Sequence, residues 1–310
     1  MRHLAIAAIP LVLAVAGCSS SSTSSQSQPG TWTRPTDPTN TVDGNLITLD
    51  IAAGTVAAAN PSQKPPIAAG SLSFIRIPSG QAILSAGDMV TEAGVSDATT
   101  TATVSATFFL SAYELTQAQW KALVTASGSS VPAEPWANVV PAAAFGGTVG
   151  DHVAAYGISR DMIQALIAGW NSRNLGAYRL RLPTGQEWEY ACRGGGTSTT
   201  GRFSWEVPGL TLTQSLESSS ATPYAIVSET AGSTLGARIV GSKMPNGLGL
   251  YDMHGNLWEW VSDGGTGGAP CLRGGSWADG LTAAMSGNRF TVDQAVPFAT
   301  AGVRLVLEAR

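Results

Sequence analysis

The sequence of 310 residues is poor in charged residues, and this scarcity limits the partners the chain can bind. Only 12% of its residues are charged, about half of the ~25% that is usual for globular proteins. The formal net charge is −4 and no cluster of lysine and arginine occurs. Binding to a phosphate backbone needs many cations on one face, so nucleic acid is excluded as a partner.

Histidine and cysteine are also scarce, with three of each in the chain. His152 and His254, the two histidines beyond the N-terminal segment, are too few and too irregularly spaced to predict an iron or zinc site. Cys192 and Cys271 are the thiols left after Cys18, and an oxidising compartment would permit them to pair. Both the paired and the unpaired state remain possible, because a disulfide requires Cα atoms within ~4.4–6.8 Å and a sequence does not give this distance.

The sequence has no apolar run of the ~20 residues that a transmembrane helix needs. The run over residues 4–16 is shorter, follows Arg2, and ends in small residues directly before Cys18. This pattern resembles a secretory signal that ends in a bacterial lipobox, although an ordinary signal peptide with an incidental cysteine has the same start. We therefore predict that residues 1–17 are removed and that Cys18 is acylated and anchors the chain in a lipid bilayer. Ser19 in place of aspartate favours the outer membrane of a bacterial cell envelope.

Residues 18–70 are rich first in serine and threonine and then in proline, alanine and glycine, which predicts a flexible tether and linker. The first strand signal is residues 71–78, where β-branched and aromatic residues lie between turn formers. The sequence therefore predicts one domain over residues 71–310.

Three helix starts are predicted from capping residues. Thr116 precedes a run in which Trp120 recurs at helical spacing with two aliphatic residues. Ser159 precedes a second helix over residues 160–173, and Thr184 with Glu187 forms a box at the start of a third. Beyond it, short apolar pieces alternate with glycine, so buried aromatic side chains and side-chain hydrogen bonds must provide most of the stability.

Four segments lie in a fixed order between residues 72 and 308. They are residues 113–116 with Trp120; residues 178–195, which contain LPTGQEWEYACRGG; residues 240–263, which contain NGLGLYDMHGNLWEW; and residues 272–277, LRGGSW, closed by residues 302–306. Together they resemble the formylglycine-generating enzyme, or sulfatase-modifying factor, family. The resemblance implies an α+β fold with little regular secondary structure, the formylglycine-generating-enzyme-like variant of the C-type-lectin-like fold.

The resemblance also implies a calcium site in the third segment. Its ligands would be the Asp252 side chain, the backbone carbonyls of Gly255 and Leu257, and the Glu259 carboxylate, an oxygen set that suits calcium. The alternative is that Glu259, which stands between two tryptophans, only makes hydrogen bonds inside the core.

The catalytic pattern of the family is missing. Its formylglycine generators use copper held by two thiolates that follow the RGGS motif, since thiolates select Cu(I). In this sequence Asp279 and Ala284 stand at those places. We therefore expect no bound copper and name no catalytic residue. Cys192 matches a structural disulfide cysteine of the family, and Cys271 is the candidate partner that remains.

The segment after the RGGS motif corresponds to the substrate groove of the family, which implies a ligand-binding role for its polar and aromatic residues. The predicted ligand contacts are Arg273, Ser276, Trp277, Asp279, Asn288 and Arg289. The alternative is that Arg273 pairs with an internal acid and Trp277 belongs to the core. The leading hypothesis is an envelope-displayed module that binds a peptide, glycan or protein partner. The second is an oxidoreductase of the same family that acts in the maturation of exported proteins.

Overall fold

The computed structural model describes residues 45–85, 90–91, 94–95, 99–139, 149–195, 201–206, 211–230, 232, 235–263 and 269–310, all within one compact unit. The predicted signal over residues 1–17, the lipid-bearing Cys18 and the linker up to residue 44 lie outside these residues. In the described part of the chain, no helix combines the length and the hydropathy needed to cross a membrane.

The described residues form fourteen short strands and five α-helices. The strands are β1 Leu46–Asp50, β2 Val56–Ala58, β3 Ser71–Ile77, β4 Gly80–Ser85, β5 Val90–Thr91, β6 Gly94–Val95, β7 Thr99–Val104, β8 Phe108–Ser111, β9 Tyr178–Arg181, β10 Trp258–Val261, β11 Cys271–Arg273, β12 Phe290–Thr291, β13 Ala301–Gly302 and β14 Val306–Ala309. The helices are α1 Gln117–Ser127, α2 Arg160–Ser172, α3 Gly185–Cys192, α4 Leu212–Ser215 and α5 Ser218–Ala221, with a 3-10 turn at Pro135–Ala137.

The larger sheet has six strands in the order β2-β1-β3-β8-β14-β9, and every neighbouring pair is antiparallel. Its strands bury aliphatic and aromatic side chains, among them Leu49, Phe74, Leu110 and Leu307. These side chains belong to one continuous core that also contains Trp120 and other side chains of α1 and α2. Strands β4 and β7 form a separate two-stranded ribbon, as do β5 and β6.

Strands β1 and β2 lie ahead of residue 71, where the sequence predicts that the domain begins. Strand β1 pairs with β3 over its whole length, from Leu46 opposite Ile75 to Asp50 opposite Ser71. Directly after β1, the buried carbonyl of Ile51 accepts a hydrogen bond of 3.0 Å from the indole of Trp170. The proline- and alanine-rich composition of the following residues concealed these short strands, because period-2 patterning is weak over so few positions.

The three predicted helix starts are confirmed. Thr116 accepts a hydrogen bond from the backbone N–H of Gln119, which closes a capping box at α1. Ser159 caps α2 through the N–H of Met162. At α3, Thr184 and Glu187 form the box that the sequence predicts.

The smaller sheet places the motif segments side by side. Its order is β12-β11-β10-β13, and the fully buried strand β10 sets Glu259 opposite Arg273 on β11 and opposite Gly302 on β13. A Cβ at Gly302 would lie 2.7 Å from the carbonyl oxygen of Ala155, so only glycine allows this approach. Residues 303–305 then connect the smaller sheet to β14 of the larger one, which carries Arg304 into the core between them.

Candidate functional site

Three carboxylates and one arginine form a buried cluster at the junction of the two sheets. Glu114 follows β8, Asp252 precedes the glycine turn of the third motif, Glu259 lies on β10, and Arg304 lies between β13 and β14. Their side chains are all at most 3% exposed. Ionised carboxylates so far from water require partners, and these partners define what the cluster can do.

Glu259 is held by Arg304. The guanidinium donates from Nη2 to Oε1 at 2.9 Å and from Nε to Oε2 at 3.0 Å. The indole of Trp188 donates to Oε2 at 2.6 Å. Arg304 also donates to the carbonyl oxygen of Ser111 at 2.8 Å and to that of Tyr251 at 2.6 Å. The carboxylate between the two tryptophans is therefore the centre of an internal ion pair.

Glu114 and Asp252 lie beside this pair. Glu114 accepts hydrogen bonds from the backbone N–H of Leu257, at 2.9 Å, and from the side-chain amide of Asn256. Burial, and then the negative charges of Asp252 and Glu259, raise the pKa of Glu114 well above its ordinary value. Burial also raises the pKa of Asp252 to about 6. Arg304 acts against both increases in pKa, and Lys64 acts against that of Asp252, but burial outweighs them.

The cluster fits a cation at Asp252. One oxygen of this carboxylate, Oδ2, accepts a hydrogen bond of 2.5 Å from the N–H of Gly241, whereas Oδ1 is buried without a hydrogen-bond partner. The described residues contain no group of three or more His, Cys, Asp or Glu side chains that could hold a metal. A cation would therefore need backbone carbonyls, as predicted for Gly255 and Leu257. Since Arg304 already neutralises Glu259, Asp252 is the carboxylate with a free oxygen to offer.

The two positions expected for thiols lie in a separate region, after the RGGS motif. The carboxylate of Asp279 accepts a hydrogen bond of 2.8 Å from the indole of Trp258 and another from the hydroxyl of Ser276. Ala284 is fully buried, and a Cβ at Gly275 would lie 2.9 Å from its Cα, so the glycine is needed for this close packing. A fixed carboxylate and a methyl group thus stand at the two positions where the sequence leads us to expect thiols.

His254 lies directly behind Ala284. Its Nδ1 donates a hydrogen bond of 2.7 Å to the Ala284 carbonyl, so in the neutral ring Nε2 is the acceptor. The hydroxyl oxygen of Ser204 lies 2.7 Å from Nε2, and the Ser204 N–H donates to the same nitrogen at 3.0 Å. Burial lowers the pKa of His254 to about 4, which keeps the ring neutral at physiological pH. No sequence pattern predicts the contact between Ser204 and His254, because the two residues belong to segments without a shared motif.

Both remaining cysteines are buried, and the structure does not join them in the disulfide that the sequence left open. The sulfur of Cys192 lies 3.6 Å from His254 Nε2, whereas Cys271 donates to the carbonyl of its neighbour Leu272 at 3.4 Å. Burial raises the pKa of the Cys192 thiol, so at neutral pH it is protonated and a poor nucleophile.

Most of the predicted ligand contacts are part of the core. Arg273 is fully buried and donates to Glu189 at 2.6 Å, an internal pair of the kind that the sequence offered as the alternative to a ligand contact. Ser276 is also fully buried, while Trp277 and Asn288 are each 6% exposed. These four side chains therefore offer little surface to a ligand.

Asp279 and Arg289 are the two predicted contacts that reach the surface. Arg289 lies 3.9 Å from Glu189, and its side chain is 22% exposed. Of the predicted contacts, a half-buried carboxylate and a half-buried guanidinium are therefore the ones open to a ligand.

Comparisons with known proteins agree with this architecture. The family sequence model of the sulfatase-modifying factor enzyme 1-like domain matches residues 62–309. The formylglycine-generating enzyme of Mycobacterium tuberculosis is 43% identical over 82 residues, which are 26% of this chain and 26% of that protein. That of Streptomyces coelicolor is 35% identical over 117 residues, which are 31% of this chain and 36% of that protein. The matched part thus spans about a quarter to a third of these relatives.

Solved structures confirm the predicted α+β fold. PvdO from Pseudomonas aeruginosa superposes with a TM-score of 0.60 and 23% identity, covering 81% of this chain and 100% of that one. Treponema denticola variable protein 1 gives a TM-score of 0.57 and 19% identity, covering 79% of this chain and 98% of that one. At these identities the likeness concerns the fold alone.

Proposed function

We propose that this chain, which belongs to the sulfatase-modifying factor enzyme 1-like domain family, lacks formylglycine-generating activity and binds a peptide, glycan or protein partner instead. The observation that supports this proposal is the Asp279 carboxylate, which occupies the first expected thiol position and is fixed by Trp258 and Ser276. A hard carboxylate is a poor ligand for Cu(I), and the methyl group of Ala284 is no ligand at all.

Copper binding by two matched proteins tests the loss of activity. The first is the unaltered chain, and the second is the double variant Asp279→Cys and Ala284→Cys, which restores both thiols. We expect the unaltered chain to bind no stoichiometric Cu(I) against a competing chelator, and to leave a cysteine-containing sulfatase peptide unchanged. The double variant should bind about one Cu(I) per chain, because two thiolates in one pocket select this ion. Stoichiometric copper, or turnover of the peptide, in the unaltered chain would refute the proposal.

Partner binding is tested separately, with Asp279 as the probe. Since its carboxylate is half-buried at the rim of the RGGS loop, Asp279→Asn should weaken capture of an envelope partner, whereas the exposed Asp293→Asn should not. A partner that binds both variants equally well would place the binding surface elsewhere.

The second candidate function is an oxidoreductase of this family that acts in the maturation of exported proteins. The observation in its favour is Cys192, whose sulfur lies 3.6 Å from His254 Nε2. The raised pKa of this thiol argues against a thiolate there. Alkylation of the native chain by iodoacetamide decides between the two, because a working thiolate would be modified within minutes, and a buried thiol only as the chain unfolds.

We also propose that calcium binds at Asp252, with the Gly255 and Leu257 carbonyls as further ligands beside the Glu259–Arg304 pair. The buried Oδ1 atom, which has no hydrogen-bond partner, supports this proposal. Calcium would supply structural stabilisation, since binding to the folded state alone raises the free energy of unfolding. Metal analysis should find about one calcium per chain, and chelation should lower the melting temperature in the unaltered chain but not in Asp252→Asn. An unchanged melting temperature on chelation would contradict it.

The location that we propose is the bacterial cell envelope, with an outer-membrane lipid anchor at Cys18. The support is the sequence of residues 1–19 alone. Replacement of Cys18 by alanine should release the protein from membranes into a soluble fraction and abolish labelling by a palmitate analogue. Retention of the variant in the membrane fraction would count against the anchor.

A further inference from the structure

A cleft of about 670 Å³ lies where the chain between β7 and β8 faces the ends of β9 and β14 and the start of α3. It is lined by Thr103, Ser105 and Thr107 on one side and by Tyr178, Arg181, Gln186 and Glu187 on the other. None of the residues that line it takes part in the carboxylate cluster or the Asp279 region.

The charged residues that line the cleft are one arginine, Arg181, and two glutamates, Glu187 and Glu308. Arg181 holds Glu187 through two hydrogen bonds of 2.7 Å, one to each carboxylate oxygen. Arg179, outside the lining, donates to Glu308 at 2.8 Å. Both lining carboxylates are therefore already paired with arginines, and an ionic ligand would have to displace one of these pairs. This pairing favours an uncharged, polar ligand.

The remaining lining combines hydroxyl groups with partly exposed rings. Thr103, Ser105 and Thr107 are exposed, as is the amide side chain of Gln186. Phe109 and Tyr178 are half-buried, and both also line a neighbouring cavity of about 320 Å³. Hydroxyl and amide groups suit a ligand with many hydroxyls, whereas aromatic rings pack against C–H surfaces. A saccharide carries both kinds of surface.

A peptide that adds a strand to the sheet does not fit this edge. The side-chain amide of Asn171 already pairs with both the N–H and the carbonyl of Leu180, at 2.9 and 2.8 Å. The backbone N–H and the guanidinium of Arg310 occupy the carbonyls of Ala177 and Tyr178. Strand addition needs these backbone groups to be free, so recognition in the cleft must use side chains.

We propose that this cleft is a binding site for a neutral oligosaccharide. Its volume lies in the range of small-ligand sites. The neighbouring cavity of about 320 Å³ extends the surface past Tyr178 and offers room for a further sugar unit. The proposal goes beyond the function proposed above, because it concerns a surface remote in sequence from the Asp279 region and would hold whether or not the family activity is lost.

Titration of the folded domain with tetrasaccharides tests this site. The probes are maltotetraose, cellotetraose and tetra-N-acetylchitotetraose as neutral chains and tetragalacturonate as an anionic one. We expect at least one neutral probe to bind with an affinity that the anionic chain does not reach. Tyr178→Ala should weaken this binding by about tenfold or more, since a packed aromatic ring dominates small polar sites. Phe290→Ala, which removes an exposed ring from the other sheet, is the matched control and should bind as the unaltered domain does.

Gln186→Leu is the second variant, because this exposed side chain can change without loss of the core. It should lower the affinity several-fold with an unaltered melting temperature. The proposal is wrong if none of the three neutral probes binds, if tetragalacturonate binds more tightly than they do, or if both Tyr178→Ala and Gln186→Leu bind as the unaltered domain does.

Discussion

Replacement of Arg304 by methionine should be among the most destabilising single changes in this chain. Arg304 is fully buried and makes its hydrogen bonds to Glu259 and to the carbonyls of Ser111 and Tyr251. Methionine fills a similar volume but donates nothing, so a buried carboxylate loses its cation. Breaking a buried pair in this way costs about 3–5 kcal/mol. Each orphaned carbonyl adds about 1–3 kcal/mol unless water reaches it.

Urea unfolding of four proteins in a chelator-containing buffer measures this cost. They are the unaltered chain, Arg304→Met, Glu259→Gln and the double variant. The double variant should recover at least about 2 kcal/mol of the summed losses, because it removes the unpaired charge together with its partner. Arg179→Met is the control, since this arginine is 54% exposed in its pair with Glu308 and should cost less than about 1 kcal/mol. If Arg304→Met costs no more than this control, the ion pair does not stabilise the fold as we argue.

Three further outcomes are expected. In the native chain, Cys192 and Cys271 should react with a thiol reagent only at the rate at which the chain unfolds, whereas in urea they should react at once. A rapid reaction in the native chain would disprove their burial. Burial alone would raise the pKa of Glu189, but its arginine neighbours lower it, so its contribution to stability is complete at neutral pH and lost as the pH falls through the acidic range. Glu189→Gln should therefore reduce the slope of the unfolding free energy against pH below about pH 4.5, the ordinary pKa of a glutamate side chain. An unchanged slope would show that the ionisation of Glu189 is not coupled to folding. A fragment of residues 71–310 should aggregate or melt at least several degrees below one of residues 45–310 in a thermal scan, because it lacks β1; equal melting would mean that β1 is dispensable.

Features that depend on neighbouring residues could be predicted from the sequence. Thr116, Ser159 and Thr184 were assigned as helix caps because a cap and the N–H that it binds lie within one turn of each other. The family motifs gave the fold for a different reason, since they resemble known sequences. Neither kind of information requires knowledge of which distant segments meet.

The chemistry of the site depends on contacts between residues far apart along the chain, and these contacts could not be predicted from the sequence. Arg304 meets Glu259 only because β13 pairs with β10, and Ser204 meets His254 only because their two segments pack together. Arg273 was predicted to face a ligand because its motif borders the family groove. The sequence could not show that Glu189, on helix α3, would hold it inside the core.

The position of β14 in the larger sheet bears on how the chain acquires its fold. This strand, Val306–Ala309, lies between β8 and β9 and is paired on both sides, although it is the last strand along the chain. The sheet therefore cannot close until synthesis has passed Ala309, whereas β1 and β3 can pair long before. Contacts so distant along the chain slow folding. A nascent or prematurely terminated chain would expose the open edges of β8 and β9, where proteases and chaperones can distinguish it from a finished one.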